Sequence, residues 1–302
     1  IWPRSSRRTN TPSAFRIAIC PAAAAERAGN LPAAARTGSI IRLLTCARAG
    51  AACSISWPIW TRKIWSGWSA ASAERQHPSP ARLVRRRRYG IPAVQIAGGA
   101  QGLRLLRDIP DEETGKIVRR QCATVFPAPA QLACSFDQEV VRAVGRAVGL
   151  EMAELGVQLW LGPDTGIMRS PQEARFAEKW SEEPVVCGAM TSALAAGAWP
   201  YGTAALHAQS LPETVSVSQS ALRDVYGLPF EIAASSCRAA RLPDCAISGQ
   251  RLTERSPLLR AWLLDCGYGG MLWGGEPLRS DRIGLEKAAI RILKWMLQAK
   301  KM

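Results

Sequence analysis

From residue 89 to the C-terminus, short apolar runs alternate with amphipathic stretches of helical period, and no other feature constrains the fold as much. The clearest instance is Ser135–Gly188. In Asp137–Leu155 the residues Val140, Val141, Val144, Val148, Met152 and Leu155 recur at helical spacing, with Ser135 and Gln138 placed as a capping pair and Gly156 as a stop. Val157–Leu161 is a short apolar run closed by Gly162-Pro163, the pattern of a strand covered on both faces in a parallel sheet. A loop of about twenty residues follows, a length that usually serves function. Pro184 then opens a second helix, Pro184–Gly197. Further strands are expected at Ala93–Ala97, Gly202–Ala208, Cys245–Ser248 and Met271–Trp273. Further helices are expected at Ser218–Ala234, Ser256–Cys266 and Arg279–Lys301, and Pro229 should kink or break the first of these. Asp111–Gly115 reads as a charged surface turn. Strand and helix in alternation predict an α/β fold with a mainly parallel sheet.

The 214 residues from 89 onward fall short of the about 250 of a typical eight-stranded α/β barrel, so a barrel built from them is expected to be short or imperfect. The long loop carries Arg169, Arg175, Glu178, Glu182 and Glu183 just past the carboxyl end of a strand. Barrels and open α/β sheets place their chemistry there.

Residues 1–88 differ in kind. They hold 16 Lys and Arg against Glu26 and Glu74, whereas the remaining residues carry 23 basic against 22 acidic side chains, so the net charge of +15 belongs almost wholly to this third. The segment is rich in Ala, Arg, Ser, Pro and Trp, its apolar residues keep no period, and it ends in the run Arg85–Arg88. It reads as irregular, without chemistry of its own. The alternative is a basic arm whose Trp residues stack on bases while arginines hold phosphates, which makes nucleic acid the less favoured partner. No window has the roughly 18 uninterrupted apolar residues of a membrane span. No basic region with an apolar core marks a signal peptide. Nine scattered cysteines, with no C-x-x-C pair, argue for buried reduced thiols over a disulfide framework or metal site, and favour the cytoplasm.

A family resemblance enters on the long loop. GPDTGIMRSPQEARFAEKWSEEP is similar to the segment of family 3 glycoside hydrolases of β-glucosidase type that reads roughly GPGxNIxRSPxxGRNFEYFSEDP; Gly162, Pro163, Ile167, Arg169, Ser170, Pro171, Arg175, Glu178, Ser181, Glu182 and Pro184 are shared. YGIPAVQIAGGAQGLR, beginning at Tyr89, resembles the family's LGIPALQLADGPQGLR, and Thr124–Ala133 its TxFPxxxxLA. Ser218–Ala234 is similar to DERALRELYLRGFEIA, and GYGGMLWGG from Gly267 to GFDGLVMSDWGA.

The resemblance implies a TIM-type barrel over 89–302 and a retaining hydrolysis of O-glycosyl bonds, with a glucoside or short β-linked oligosaccharide as substrate and no cofactor or metal. It also locates the departures. The family's sugar-binding Asp is Gly98 here, the Lys of its Lys-His pair is Leu206 with His207 kept, and its nucleophilic Asp falls on Gly275. Glu276 is one position out, and neighbouring residues on a strand face opposite ways. Arg175 is expected to offer its fork of donors to sugar hydroxyls with Glu178 orienting it; the plainer alternative is a loop-stabilising ion pair. Retaining hydrolysis needs two carboxyls about 5–5.5 Å apart, so this copy is expected to be impaired. A sugar-binding module without catalysis is the alternative.

Overall fold

Three residues, Leu159–Leu161 (β5), all buried, sit at the centre of the observed sheet. The computed structural model describes residues 81–83, 94–110, 117–173, 175–199, 201–207, 217–242, 246–247, 250–251, 260–274 and 282–299. Within them the strands are β1 Ala81–Leu83, β2 Val94–Gly98, β3 Leu106–Pro110, β4 Ile117–Cys122, β5, β6 Thr203–His207, β7 Ala239–Leu242, β8 Ala246–Ile247, β9 Gln250–Arg251 and β10 Met271–Gly274. A six-stranded sheet runs β1-β2-β5-β6-β7-β10. From β2 to β10 every pairing is parallel, and β1 alone is antiparallel. The expected α/β class holds, and β1 draws three residues of the basic N-terminal third into the sheet.

The helices follow as α1 Pro129–Ala133, α2 Gln138–Leu155, α3 Pro184–Ala198, α4 Gln219–Ala221, α5 Leu228–Ala234 and α6 Arg282–Ala299. α2 and α3 run parallel and nearly touch backbone to backbone. A Cβ added at Gly145 would lie 2.2 Å from the Leu194 carbonyl oxygen, one at Gly149 2.7 Å from that of Ala198, and one at Gly197 2.1 Å from that of Arg142. Side chains of α2 and α3 such as Val148, Met152, Cys187 and Met190 join Trp160 and Leu206 of the sheet in one apolar core.

Several expectations are corrected. Asp137, not Ser135, caps α2: its carboxylate accepts from the Glu139 and Val140 amides, while Ser135 Oγ donates to the Leu132 carbonyl. The acid outcompetes the hydroxyl because it sits directly before the helix and meets its positive end. Pro229 does alter its helix, as a widening. Lacking an N–H to return to the chain, it follows a π-helical stretch, Leu222–Gly227, that joins α4 to α5. Cys245–Ser248 is no sheet strand. Ala246–Ile247 pairs with β9 in a small antiparallel ribbon, and the sheet position is filled by Ala239–Leu242. A second ribbon, β3 with β4, brackets residues 111–116, so the charged turn Asp111–Gly115 lies outside the described residues. Of the helix expected at 256–266, Arg260–Leu264 is described, as a π turn.

Candidate functional site

The parallel strands end at Gly98, Leu161, His207, Leu242 and Gly274. Register sets Gly98 beside Leu161, His207 beside Arg241 and Gly274 beside Leu242. Gly98 and His207 thus stand on the carboxyl edge of one sheet. Gly275 follows directly on β10, but Gly275 and Glu276 lie outside the described residues, as does the side chain of His207.

The loop after β5 is held almost entirely by its own polar groups. Asp164, fully buried, accepts from the Gly166 amide at 2.7 Å, and its own amide donates to the Glu178 carbonyl at 2.9 Å. The Met168 amide donates to the Ser181 carbonyl at 2.9 Å, closing the loop into a narrow double-backed strap. Lys179, only 1% exposed, donates to the Ile167 carbonyl at 2.9 Å and pairs with Glu173. A buried ammonium is tolerable only with such partners. Arg169 donates to the Tyr226 hydroxyl and its guanidinium lies 5.3 Å from that ring's centre, which ties the loop to the π-helical stretch.

On this strap stands the pair foreseen in the sequence. Arg175 Nη1 lies 3.1 Å from Glu178 Oε2, with side chains 42% and 28% exposed. The 3₁₀ turn Phe176–Glu178 brings them together. Half in solvent, the pair is worth about 0–1 kcal/mol to the fold. A guanidinium has five N–H groups, and among the described residues one of them is bonded here.

Two of the substituted positions behave differently from each other. A Cβ built at Gly98 meets no atom within 4 Å, so the room for a longer side chain is there. Leu206 is fully buried in the core, so this position now serves packing. The sequence reading missed Arg241, which is 5% exposed and faces His207 in register. It also missed Asp164 and Lys179. Arg241 was hidden because β7 was; Lys179 carries a signal in retrospect, a cation set directly against Trp180. The buried thiols beneath, Cys187 and Cys237, are both pushed up to about 12, by burial foremost, and are not nucleophiles near neutrality.

A parallel sheet with helices between its strands and a pinned polar loop at the carboxyl edge defines a TIM-barrel-like α/β domain. Residues 93–234 match the glycosyl hydrolase family 3 N-terminal domain. The chain is 34% identical over 214 residues to thermostable beta-glucosidase B of Acetivibrio thermocellus, covering 65% of this chain and 27% of that protein. It is 30% identical over 216 residues to a beta-glucosidase of Kluyveromyces marxianus, covering 68% and 24%. Among solved structures, beta-glucosidase 3B of Thermotoga neapolitana in complex with alpha-D-glucose superposes with a TM-score of 0.54 at 28% identity, over 64% of this chain and 28% of that one. A beta-glucosidase of Paenibacillus barengoltzii shares the fold with a TM-score of 0.63 at 20% identity, over 84% and 34%. The chain thus spans about a quarter of the length of the curated relatives it matches.

Proposed function

We propose that this chain binds a β-glucoside at the carboxyl edge of its sheet, as the barrel part of a β-glucosidase-type glycoside hydrolase, and that its own turnover is impaired. The observation that carries the reading is the Arg175–Glu178 pair, 3.1 Å apart and partly exposed, on a strap whose buried ion pair and hydrogen bonds leave it little freedom. A preset fork of donors beside a carboxylate suits vicinal hydroxyls, because each hydroxyl both gives and accepts a hydrogen bond. Residues at the ends of β2 and β6 lie on the same edge and would line the glycone.

Retaining hydrolysis proceeds by attack of a carboxylate on the anomeric carbon, with a second carboxyl protonating the leaving oxygen. Gly275 stands where the resemblance puts the attacking Asp, and Glu276 is turned by one position. Without a nucleophile the route through a covalent intermediate is closed. The space at Gly98 favours the same conclusion, since one hydroxyl partner is gone. The test is hydrolysis of an aryl β-glucoside together with binding of glucose. Saturable glucose binding, lost in Arg175→Ala, with turnover at background supports the proposal. Turnover well above background that Arg175→Ala abolishes removes the impairment, and absence of binding at millimolar glucose removes the site.

A further inference from the structure

We propose that a second saccharide site lies outside the strand-end edge, in the cavity between α1, the strap and the N-terminus of α3. This cavity has a volume of about 320 Å³ and is walled by Phe136, Met168, Phe176 and Trp180, with Arg169 and Glu182 among its polar groups. Arg175, Gly98 and Leu206 are not part of its lining. The inference shares a ligand class with the function proposed above but none of its residues.

The first reason is Phe136. Its φ is +52°, and it is the one non-glycine residue at positive φ among those described. Following a helix end, that conformation is ordinarily given to Gly or Asn, and for a bulky side chain it is strained. Nor does burial account for the aromatic, since the ring is 77% exposed. A ring held out at a cavity rim, against both backbone preference and the hydrophobic effect, has a face to offer. Strain of this kind collects where ligands are clamped.

The second reason is the charge of the walls. Arg169 and Glu182 line one cavity with opposite signs, and the helix ends beside it are already answered, that of α2 by Asp137 and that of α3 by Glu183. An anion would meet Glu182 and a cation would meet Arg169. A neutral polyol meets neither penalty: its hydroxyls take both as partners while its C–H face lies on Phe136 or Phe176. Trp180, 2% exposed, closes the floor of the cavity. A cavity at the lower end of the about 300–1,000 Å³ range of ligand pockets suits one or two sugar units.

The probe is cellobiose, titrated into the whole chain while the backbone amide resonances of Phe136, Glu182 and Arg175 are followed. The Phe136 and Glu182 amides are expected to shift saturably, and to do so equally in Arg175→Ala. Phe136→Ala should weaken that curve about tenfold, the value of one stacked ring, and Phe136→Tyr should restore it. Phe136→Gly, which suits the positive φ, guards against a folding defect: it should be at least as stable as the parent and still lose the sugar. No shift at Phe136 and Glu182 with millimolar cellobiose, or an unchanged curve in Phe136→Ala, overturns the second site. Failure of the strand-end site would show separately, as a flat response at Arg175 alone.

Discussion

The strap after β5 and the ends of its neighbouring strands answer to different partners. In the strap, Asp164, Lys179, Glu173 and Arg169 bind one another, the backbone or Tyr226, and they are buried or tied down. At the strand ends the positions that the resemblance gives to sugar chemistry are Gly98, Leu206, His207 and Gly275, and of these His207 alone keeps the family's residue. The polar groups of the strap find their partners within the fold; three strand-end positions that the resemblance gives to sugar chemistry carry no polar side chain. The difference is energetic. Losing a buried polar partner costs several kcal/mol of stability, whereas losing a group that faces an empty site costs little.

That contrast can be broken by measurement, beginning with its strongest arm. Glu173→Ala should destabilise the chain by about 3 kcal/mol, because it leaves Lys179 buried without its carboxylate. Lys179→Met should cost less, since Glu173 is 23% exposed and can turn to water. Equal losses in urea unfolding would show that burial is not what fixes the strap. A general effect, confined to alkaline pH, is expected as well. The buried thiols Cys187 and Cys237 ionise near 9.0 when unfolded and at about 12 in the native chain. The folded values are raised, so their contribution is complete below pH 9 and is lost as pH climbs towards 12. Unfolding midpoints that stay flat over that window would contradict it.

At the strap's exposed pair and at the strand ends the expected changes shrink. Arg175→Ala should move stability by less than about 1 kcal/mol while abolishing glucose binding; a larger loss of stability would make the pair a structural clasp. Smallest of all, Gly98→Asp should be neutral within about 0.5 kcal/mol, because no atom lies within 4 Å of its added Cβ. A marked drop in melting temperature would mean that the open space is needed.

The order of strands and helices was legible because hydrophobic period and glycine or proline stops carry it: β5, β6, α2 and α3 fall within a residue or two of their expected ends. β7 was not legible. Ala239-Ala240-Arg241-Leu242 is short, weakly β-forming and contains a cation that only the parallel neighbours make sense of. Neither was the strap's interior. Arg175 with Glu178 could be foreseen from the family resemblance, but Lys179 with Glu173 requires knowing that the turn closes over itself. Phe136 gives no sign in one dimension, since an αL phenylalanine reads like any other.

The contact of α2 with α3 tolerates far less change than the strand ends do. At Gly145, Gly149 and Gly197 even one methyl group would strike a neighbouring carbonyl, so every alternative residue forces the two helices apart. An added side chain that the open space at Gly98 accepts has no room here. These three sites fix the spacing of the two helices, and with it the frame that carries the strand ends, whatever side chains those ends bear.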